Sequence, residues 1–243
     1  MTQNKKPVKT LSKNEPMRIN RYLSIRGIAT RKGADELIKK GVVLLNGKKA
    51  VLGDKIGPKD KVSIAGVIDT GNYHYFVYCK PKGVTTLPEK NTLSVMTMAN
   101  SLPKDAFPVG RLDKDSEGLL IITNDGRITK KLLDGKYNHE KEYIVEVSHP
   151  IEHNFMVRLR DGVRLGKEMT KKAKVRKIDK YTFEIIITEG KNRQIRRMCA
   201  SFNQEVRELK RVRIMNIELG NLHPNTYREI KGKDLEDFLK KVL

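Results

Sequence analysis

Tryptophan is absent and aromatic residues make up only 6% of the chain, so any core must be built mainly from aliphatic side chains. Cysteine occurs twice, as Cys79 in an apolar strand-like run and Cys199 in an amphipathic helix-like run. Neither has a companion at metal-site spacing, so buried thiols are expected in place of a disulfide or metal ligands. No apolar run approaches the roughly 20 residues that cross a bilayer, and the opening MTQNKKPVKTLSKN has no apolar segment of the signal-peptide kind. A cytoplasmic protein without a membrane partner is expected. Acidic residues are also scarce: Asp+Glu total 29 against 50 Lys+Arg, a formal net charge of +21 in 243 residues. That imbalance points to a polyanionic partner, with nucleic acid well ahead of an anionic membrane surface.

The length allows a small and a larger domain. Residues 1–15 are polar, carry four lysines and show no apolar period, which predicts a disordered basic tail. From Met17, Ile19, Tyr22 and Leu23 recur at helical spacing and Gly27 supplies a stop. Thr30 can cap a second helix with Ala34, Leu37 and Ile38 on its apolar face and Gly41 as a left-handed terminator. Val42–Leu45 reads as a strand, and Asn46-Gly47 is a strong hairpin signal. Gly66 to Asn72 reads as a linker. The expected organisation is a basic tail over 1–15, a small domain over 16–66 and a larger one over 73–243.

In the larger region, strands are predicted at Tyr75–Cys79, Leu119–Ile122, Glu142–Val147, Val175–Ile178, Thr182–Ile187 and across Val206–Leu219. Helices are predicted at Ile128–Leu133, around Phe155 and Leu159 up to Gly162, around Ile195 to Phe202, and at the C-terminus with Asp234 as cap. Strands and helices do not alternate regularly, so the expected class is α+β with a mixed, largely antiparallel sheet. The stretch Phe107–Arg127, FPVGRLDKDSEGLLIITNDGR, organises the rest. Its apolar run is a buried strand closed by Asn124-Asp125-Gly126, and Asp113 is expected on a short loop beside the sheet edge, where binding and catalytic groups concentrate.

Read alone, that loop fits solvated local ion pairs as well as chemistry. Other enzyme classes fit poorly. A zinc deaminase needs a Cys-x-x-Cys pair that is missing, Asp113 and Asp115 in one loop do not face each other across a sugar as a glycosidase pair must, and no glycine-rich nucleotide fingerprint is present.

GRLDKDSEGLLIITNDG closely resembles the active-site motif of the pseudouridine synthases related to the A-type enzyme of the small ribosomal subunit. Lys80-Pro81-Lys82-Gly83, Lys141-Glu142-Tyr143 and Gly190-Lys191-Asn192-Arg193-Gln194-Ile195-Arg196-Arg197 follow that family's order, and the resemblance runs from about Met17 to about Ile230. The helix, helix, hairpin order before it resembles the S4 RNA-binding domain through Arg18, Tyr22, Leu23, Gly27, Arg31, Gly41, Val43, Asn46 and Gly47. Thr30-Arg31-Lys32 departs from its usual Ser-Arg-Arg, keeping charge but losing bidentate phosphate geometry.

The resemblance implies an RNA pseudouridine synthase with Asp113 as the essential carboxylate, Tyr143 stacked on the target base and Arg196 as the charge partner of Asp113. It implies RNA contacts from Arg18, Arg21, Arg31, Lys32, Lys80, Arg193 and Arg197, while Arg111, next to the motif, suits an RNA contact and an intramolecular salt bridge equally. His139–Tyr143, Thr170–Lys172 and Arg193–Cys199 look most like the F-type branch of the synthases that act on the large ribosomal RNA, with B-type and E-type relatives open. The implied substrate is a uridine of 23S ribosomal RNA, the implied cofactor and metal are none, and a monomer is expected. The rival class is a non-catalytic S4-type module that only binds ribosomal RNA.

Overall fold

The computed structural model describes residues 16–25, 29, 31–57, 60–64, 73–89, 91–99, 101–103 and 105–243. The basic tail, the Gly27 stop, the Thr30 cap and the 66–72 linker fall outside the described residues. The chain divides into two compact units, Met1–Asn72 and Tyr73–Leu243.

The first unit runs β1 (Met17–Arg18), α1 (Ile19–Ile25), α2 (Arg31–Lys39), β2 (Val43–Leu45), β3 (Lys48–Lys49), β4 (Lys55–Ile56) and β5 (Val62–Ile64). Ile19 and Leu23, one turn apart on α1, are buried with Ala34 and Ile38 of α2 and with Val43. This small aliphatic core follows from the i, i+4 spacing on both helices. Gly41 ends α2 with φ 68°. Asn46 and Gly47, both at positive φ, turn β2 into β3 as that dipeptide favours. The Asn46 amide donates to Asp60 Oδ1 at 2.8 Å and its oxygen accepts from the Lys61 N–H at 2.9 Å, which seats β5 against β2. Arg18, Arg31 and Lys32 are exposed and Arg21 is half-buried.

The second unit begins β6 (Tyr75–Lys80), α3 (Val95–Met98), β7 (Phe107–Val109), β8 (Glu117–Thr123), α4 (Arg127–Leu133), β9 (Lys141–Val147), α5 (His153–Asp161), β10 (Arg164–Leu165) and β11 (Glu168–Met169). It continues β12 (Lys174–Lys177), β13 (Thr182–Ile187), α6 (Gln194–Ala200), β14 (Val206–Ile214), β15 (Ile217–Glu218), β16 (Tyr227–Glu229) and α7 (Gly232–Val242). The main sheet has the order β12-β13-β9-β14-β8-β6-β16, with β7 beside β8 and β15 beside β14. Every pairing in it is antiparallel except β14 with β8, so the fold is α+β with a mixed, mostly antiparallel sheet.

Strand β8 explains its own continuous apolar run. Leu119 and Ile121 pack with Ile128, Leu132, Phe238 and Val242 from the helices on one face, while Leu120 and Ile122 pack with Val84, Val95 and Leu102 on the other. A strand covered on both faces needs no polar alternation, and each fully buried Leu or Ile contributes roughly 1.5–3 kcal/mol. A third cluster joins Val145 and Phe183 to Phe155, Leu159, Met198 and Cys199 of α5 and α6. Both cysteines are free and buried.

Three expectations are corrected. The Asp113 loop enters a central strand, not a sheet edge, because β14 and β9 extend the sheet beyond β8. The strand predicted across Val206–Leu219 breaks at Met215, φ 54°, into the antiparallel pair β14 and β15. Lys231, not Asp234, is the N-cap of α7, and Asp234 lies in its first turn, where a carboxylate still suits the helix dipole.

The β8–β14 contact depends on a missing side chain. At Gly118, φ is 108° and an added Cβ would lie 2.3 Å from the Arg211 carbonyl oxygen. Gly118→Ala should therefore combine backbone strain with overpacking and lose about 3 kcal/mol or more of unfolding free energy. Urea denaturation followed by circular dichroism measures this, and an unchanged midpoint would show that the two strands can separate freely.

Candidate active site

The loop from Gly110 to Ser116 carries Asp113 into a cleft of about 660 Å³ on the second unit. Its walls come from five places: Thr85 and Thr86 after β6, the loop itself, Leu132 and Leu133 of α4, Lys141, Tyr143, Ile187, Leu209, Arg211 and Ile214 from the sheet, and Lys191 to Ile195 at the start of α6. The order of motifs along the chain becomes adjacency in space because β9 and β14 lie side by side and β14 runs parallel to β8.

The loop is held through its backbone. Thr86 Oγ1 donates to the Leu112 carbonyl at 2.8 Å and accepts from the Leu112 N–H at 3.0 Å, fixing the residue before Asp113. The Ser116 N–H donates to the Asp113 carbonyl at 3.0 Å and closes a turn. The Gly83 N–H donates to the Lys114 carbonyl at 2.8 Å, and Arg196 Nη2 donates to the Asp115 carbonyl at 2.9 Å. Four consecutive carbonyls thus have donors, three of them supplied by residues remote in sequence. Such over-determination lets a short loop hold a side chain in one place without burying it. The Asp113 side chain is 30% exposed.

Arg193, not Arg196, faces that carboxylate. Its Nη1 lies 3.8 Å from Asp113 Oδ2 and 3.6 Å from Asp115 Oδ2. The pairing expected between Asp113 and Arg196 is corrected. Arg196 Nη1 donates to the Val206 carbonyl at 2.8 Å while its Nη2 is on the Asp115 carbonyl, so its guanidinium ties the loop to β14. The reason is local: Arg193 is the N-cap of α6 in the left-handed region, φ 46°, which puts it one turn nearer the cleft. Arg197 is exposed, with long hydrogen bonds to the Asn192 and Leu165 carbonyls at 3.5 and 3.4 Å. Arg111 is exposed on the rim.

Lys80 is a second correction, since it is fully buried and cannot reach RNA. Its Nζ donates to the carbonyls of Pro81 at 2.8 Å, Val84 at 2.6 Å and Lys114 at 3.4 Å. Burial lowers its pKa to about 8 in spite of the opposing pull of Asp113, Asp115 and Glu117. Three donors meeting three carbonyls is the full capacity of an ammonium group. The basic loop Lys80-Pro81-Lys82-Gly83 reads as an RNA contact by charge alone, and of its two lysines only Lys82 is exposed, where its ammonium pairs with Glu208 at 2.5 Å.

Tyr143 is 7% exposed and lines the cleft while also packing in the core. Lys141, two residues earlier on the same face of β9, and Arg211, opposite Tyr143 in the β9–β14 register, are buried beside it. Sequence reasoning missed both as site residues. A Lys-x-Tyr spacing on a strand does put two side chains on one face, but nothing in the sequence shows which face the cleft opens on. Among the described residues no group of three or more His, Cys, Asp or Glu could hold a metal, and no helix is long and apolar enough to cross a membrane.

Residues 74–201 match the family described as RNA pseudouridylate synthase, and residues 17–62 match the S4 domain. The chain is 38% identical over 230 residues to the dual-specificity RNA pseudouridine synthase RluF of Escherichia coli (strain K12), covering 93% of this chain and 79% of that protein. It is 35% identical over 229 residues to the ribosomal large subunit pseudouridine synthase B of Bacillus subtilis (strain 168), covering 90% and 94%. A solved structure of a pseudouridylate synthase superposes with TM-score 0.68 at 25% identity, over 93% of this chain and all of that one.

The role of Lys80 is testable by removing its charge. Lys80→Met leaves buried carbonyls without a donor and should lose about 2 kcal/mol of stability in urea unfolding. The dissociation constant for a large-subunit rRNA transcript should change less than about twofold at any salt, because no counterion release involves this residue. A flatter salt dependence would instead put the ammonium on a phosphate.

Proposed function

The chain belongs to the RNA pseudouridylate synthase family, and from that premise we propose that it isomerises a specific uridine of large-subunit ribosomal RNA to pseudouridine in the cytoplasm. The substrate follows the activities for which the similar proteins, RluF and synthase B, are named. The observation that carries the reading is Asp113, held by its loop backbone at a cleft whose walls include Tyr143 and the start of α6. The S4-type unit, with Arg18, Arg31 and Lys32 exposed, supplies sequence-independent phosphate contacts. A non-catalytic S4 module is not favoured, since 74–201 matches the synthase family.

The reaction breaks the bond from ribose C1′ to uracil N1, turns the ring, forms the bond from C1′ to C5, and moves a proton from C5 while N1 gains one. No net oxidation or hydrolysis occurs. The target nucleotide must leave its stack to reach the cleft, and Asp113 is the carboxylate that engages it. Arg193, whose Nη1 lies 3.8 Å from Asp113 Oδ2, holds that carboxylate in its direction. Tyr143 offers a ring face for the uracil while the ring's edge changes partner, and Ile187, Ile195, Leu209 and Ile214 form apolar walls that keep the detached base from escaping. Arg196 acts on the site as a positioning residue through the Asp115 carbonyl. Arg111 and Arg193 line the opening and, with the exposed Arg197 of α6, serve as RNA contacts.

Asp113→Asn removes the charge while nearly preserving shape. With rRNA transcripts labelled with tritium at uridine C5, the wild type should release tritium and the variant none, both binding the transcript within about twofold, because a carboxylate adds no attraction to a polyanion. Release by the variant at the wild-type rate would remove Asp113 from the chemistry. A wild type that binds the transcripts without releasing tritium would restore the binding-module reading.

A further inference from the structure

Two buried cations at the back of the cleft have almost nothing to bind. Lys141 is 6% exposed and Arg211 5% exposed, yet neither has a carboxylate within ion-pair distance among the described residues. The Lys141 ammonium makes one long hydrogen bond, 3.4 Å to the His139 carbonyl. Arg211 spends Nε on the Leu119 carbonyl at 2.7 Å and Nη1 on Tyr143 Oη at 3.5 Å, and its buried Nη2 has no partner. Buried charges are ordinarily paired, and an ammonium and a guanidinium carry three and five donors respectively. The cost shows at Lys141, whose pKa falls to about 8 through burial and the nearby Arg211 charge.

Both cations neighbour Tyr143. Lys141 and Tyr143 share a face of β9, and Arg211 sits opposite Tyr143 on β14, its guanidinium carbon 6.0 Å from the ring centroid. The neighbouring walls, Ile187, Leu209 and Ile214, are apolar. An apolar slot with two separate cationic donors next to an aromatic ring suits a flat heterocycle with two carbonyls better than a hydrated phosphate.

We propose that Lys141 and Arg211 hold the two carbonyl oxygens, O2 and O4, of the uracil and stabilise the negative charge that develops on them; this rests on the reading of the site as a pseudouridine synthase. Both routes open to Asp113 place charge there. If the carboxylate adds to C6, a C6–O bond forms and the C5=C6 electron pair moves onto O4. If the carboxylate instead displaces the base at C1′, a C1′–O bond forms as the C1′–N1 bond breaks, and the electron pair of the broken bond stays with the ring and spreads over O2 and O4. Either is an oxyanion that fixed donors in a water-poor site stabilise strongly. The pairing also answers the rotation the isomerisation needs. Turning the ring about its N3 to C6 axis exchanges N1 with C5 and, with them, O2 with O4. A site with a cation at each carbonyl position accepts the ring before and after the turn, so the base can re-seat without losing its contacts.

The test uses the full-length protein, an rRNA transcript labelled with tritium at uridine C5 and the same transcript carrying 4-thiouridine, whose sulfur is a poorer acceptor. Lys141→Met and Arg211→Met should each lower the single-turnover rate of tritium release about 100-fold, with the transcript dissociation constant within about threefold of wild type. The thio transcript, which needs no variant, should slow the wild type about tenfold and slow each variant much less, because part of that contact is already gone. Full-rate release by both variants, loss of binding in proportion to rate, or an equal thio effect in all three proteins would each overturn the proposal. No release by the wild type would instead overturn the synthase reading, so the two failures are distinguishable.

Discussion

The close approach of β8 and β14 at Gly118 is the constraint on which the rest of the second unit depends. Only a residue without a Cβ fits against the Arg211 carbonyl there, and this contact makes the single parallel pairing of the main sheet possible. From it follow the position of the Gly110–Ser116 loop at the start of β8, the entry of Arg211 into the cleft beside Tyr143, and the reach of Arg196 from α6 to the Asp115 carbonyl. A side chain at position 118 would push apart the two strands that carry the carboxylate and the cationic wall.

The cleft is electrostatically one-sided. Its walls include Arg111, Lys114, Lys141, Lys191, Arg193 and Arg211 against two acids, Glu89 and Asp113. Some of these cations are spent inside the protein, as when Lys191 pairs with Glu168 at 2.6 Å. The outer ones, Arg111 and Arg193, are exposed and suit a polyanion, where screening by salt is strong. The inner ones, Lys141 and Arg211, are shielded from solvent, and there each unpaired donor weighs more. One polarity therefore serves two purposes at two depths.

Much of this was legible in the sequence, for physical reasons. The run Leu119–Ile122 is apolar on both faces because the strand is covered on both faces, and Asn46-Gly47 turns because both residues tolerate positive φ. Asp113 was readable because the motif around it is long and is followed by other segments in order. What charge alone could not resolve is where a lysine or arginine points. Lys80 looks like a phosphate contact until three carbonyls are found around its ammonium. Arg193 and Arg196 are three residues apart on one helix, and the left-handed cap at Arg193 decides which of them meets Asp113. Lys141 and Arg211 were invisible as a pair because the register of β9 on β14, which sets Arg211 opposite Tyr143 and Ile214 opposite Lys141, includes bulges that no period of two predicts.

The most direct measurement of the central claim is a nucleotide-resolution map of pseudouridine across ribosomal RNA from cells that contain the protein and cells that lack it. At least one large-subunit position should be pseudouridine only in the first and return when the wild-type gene is restored. Identical maps from the two strains would contradict the account.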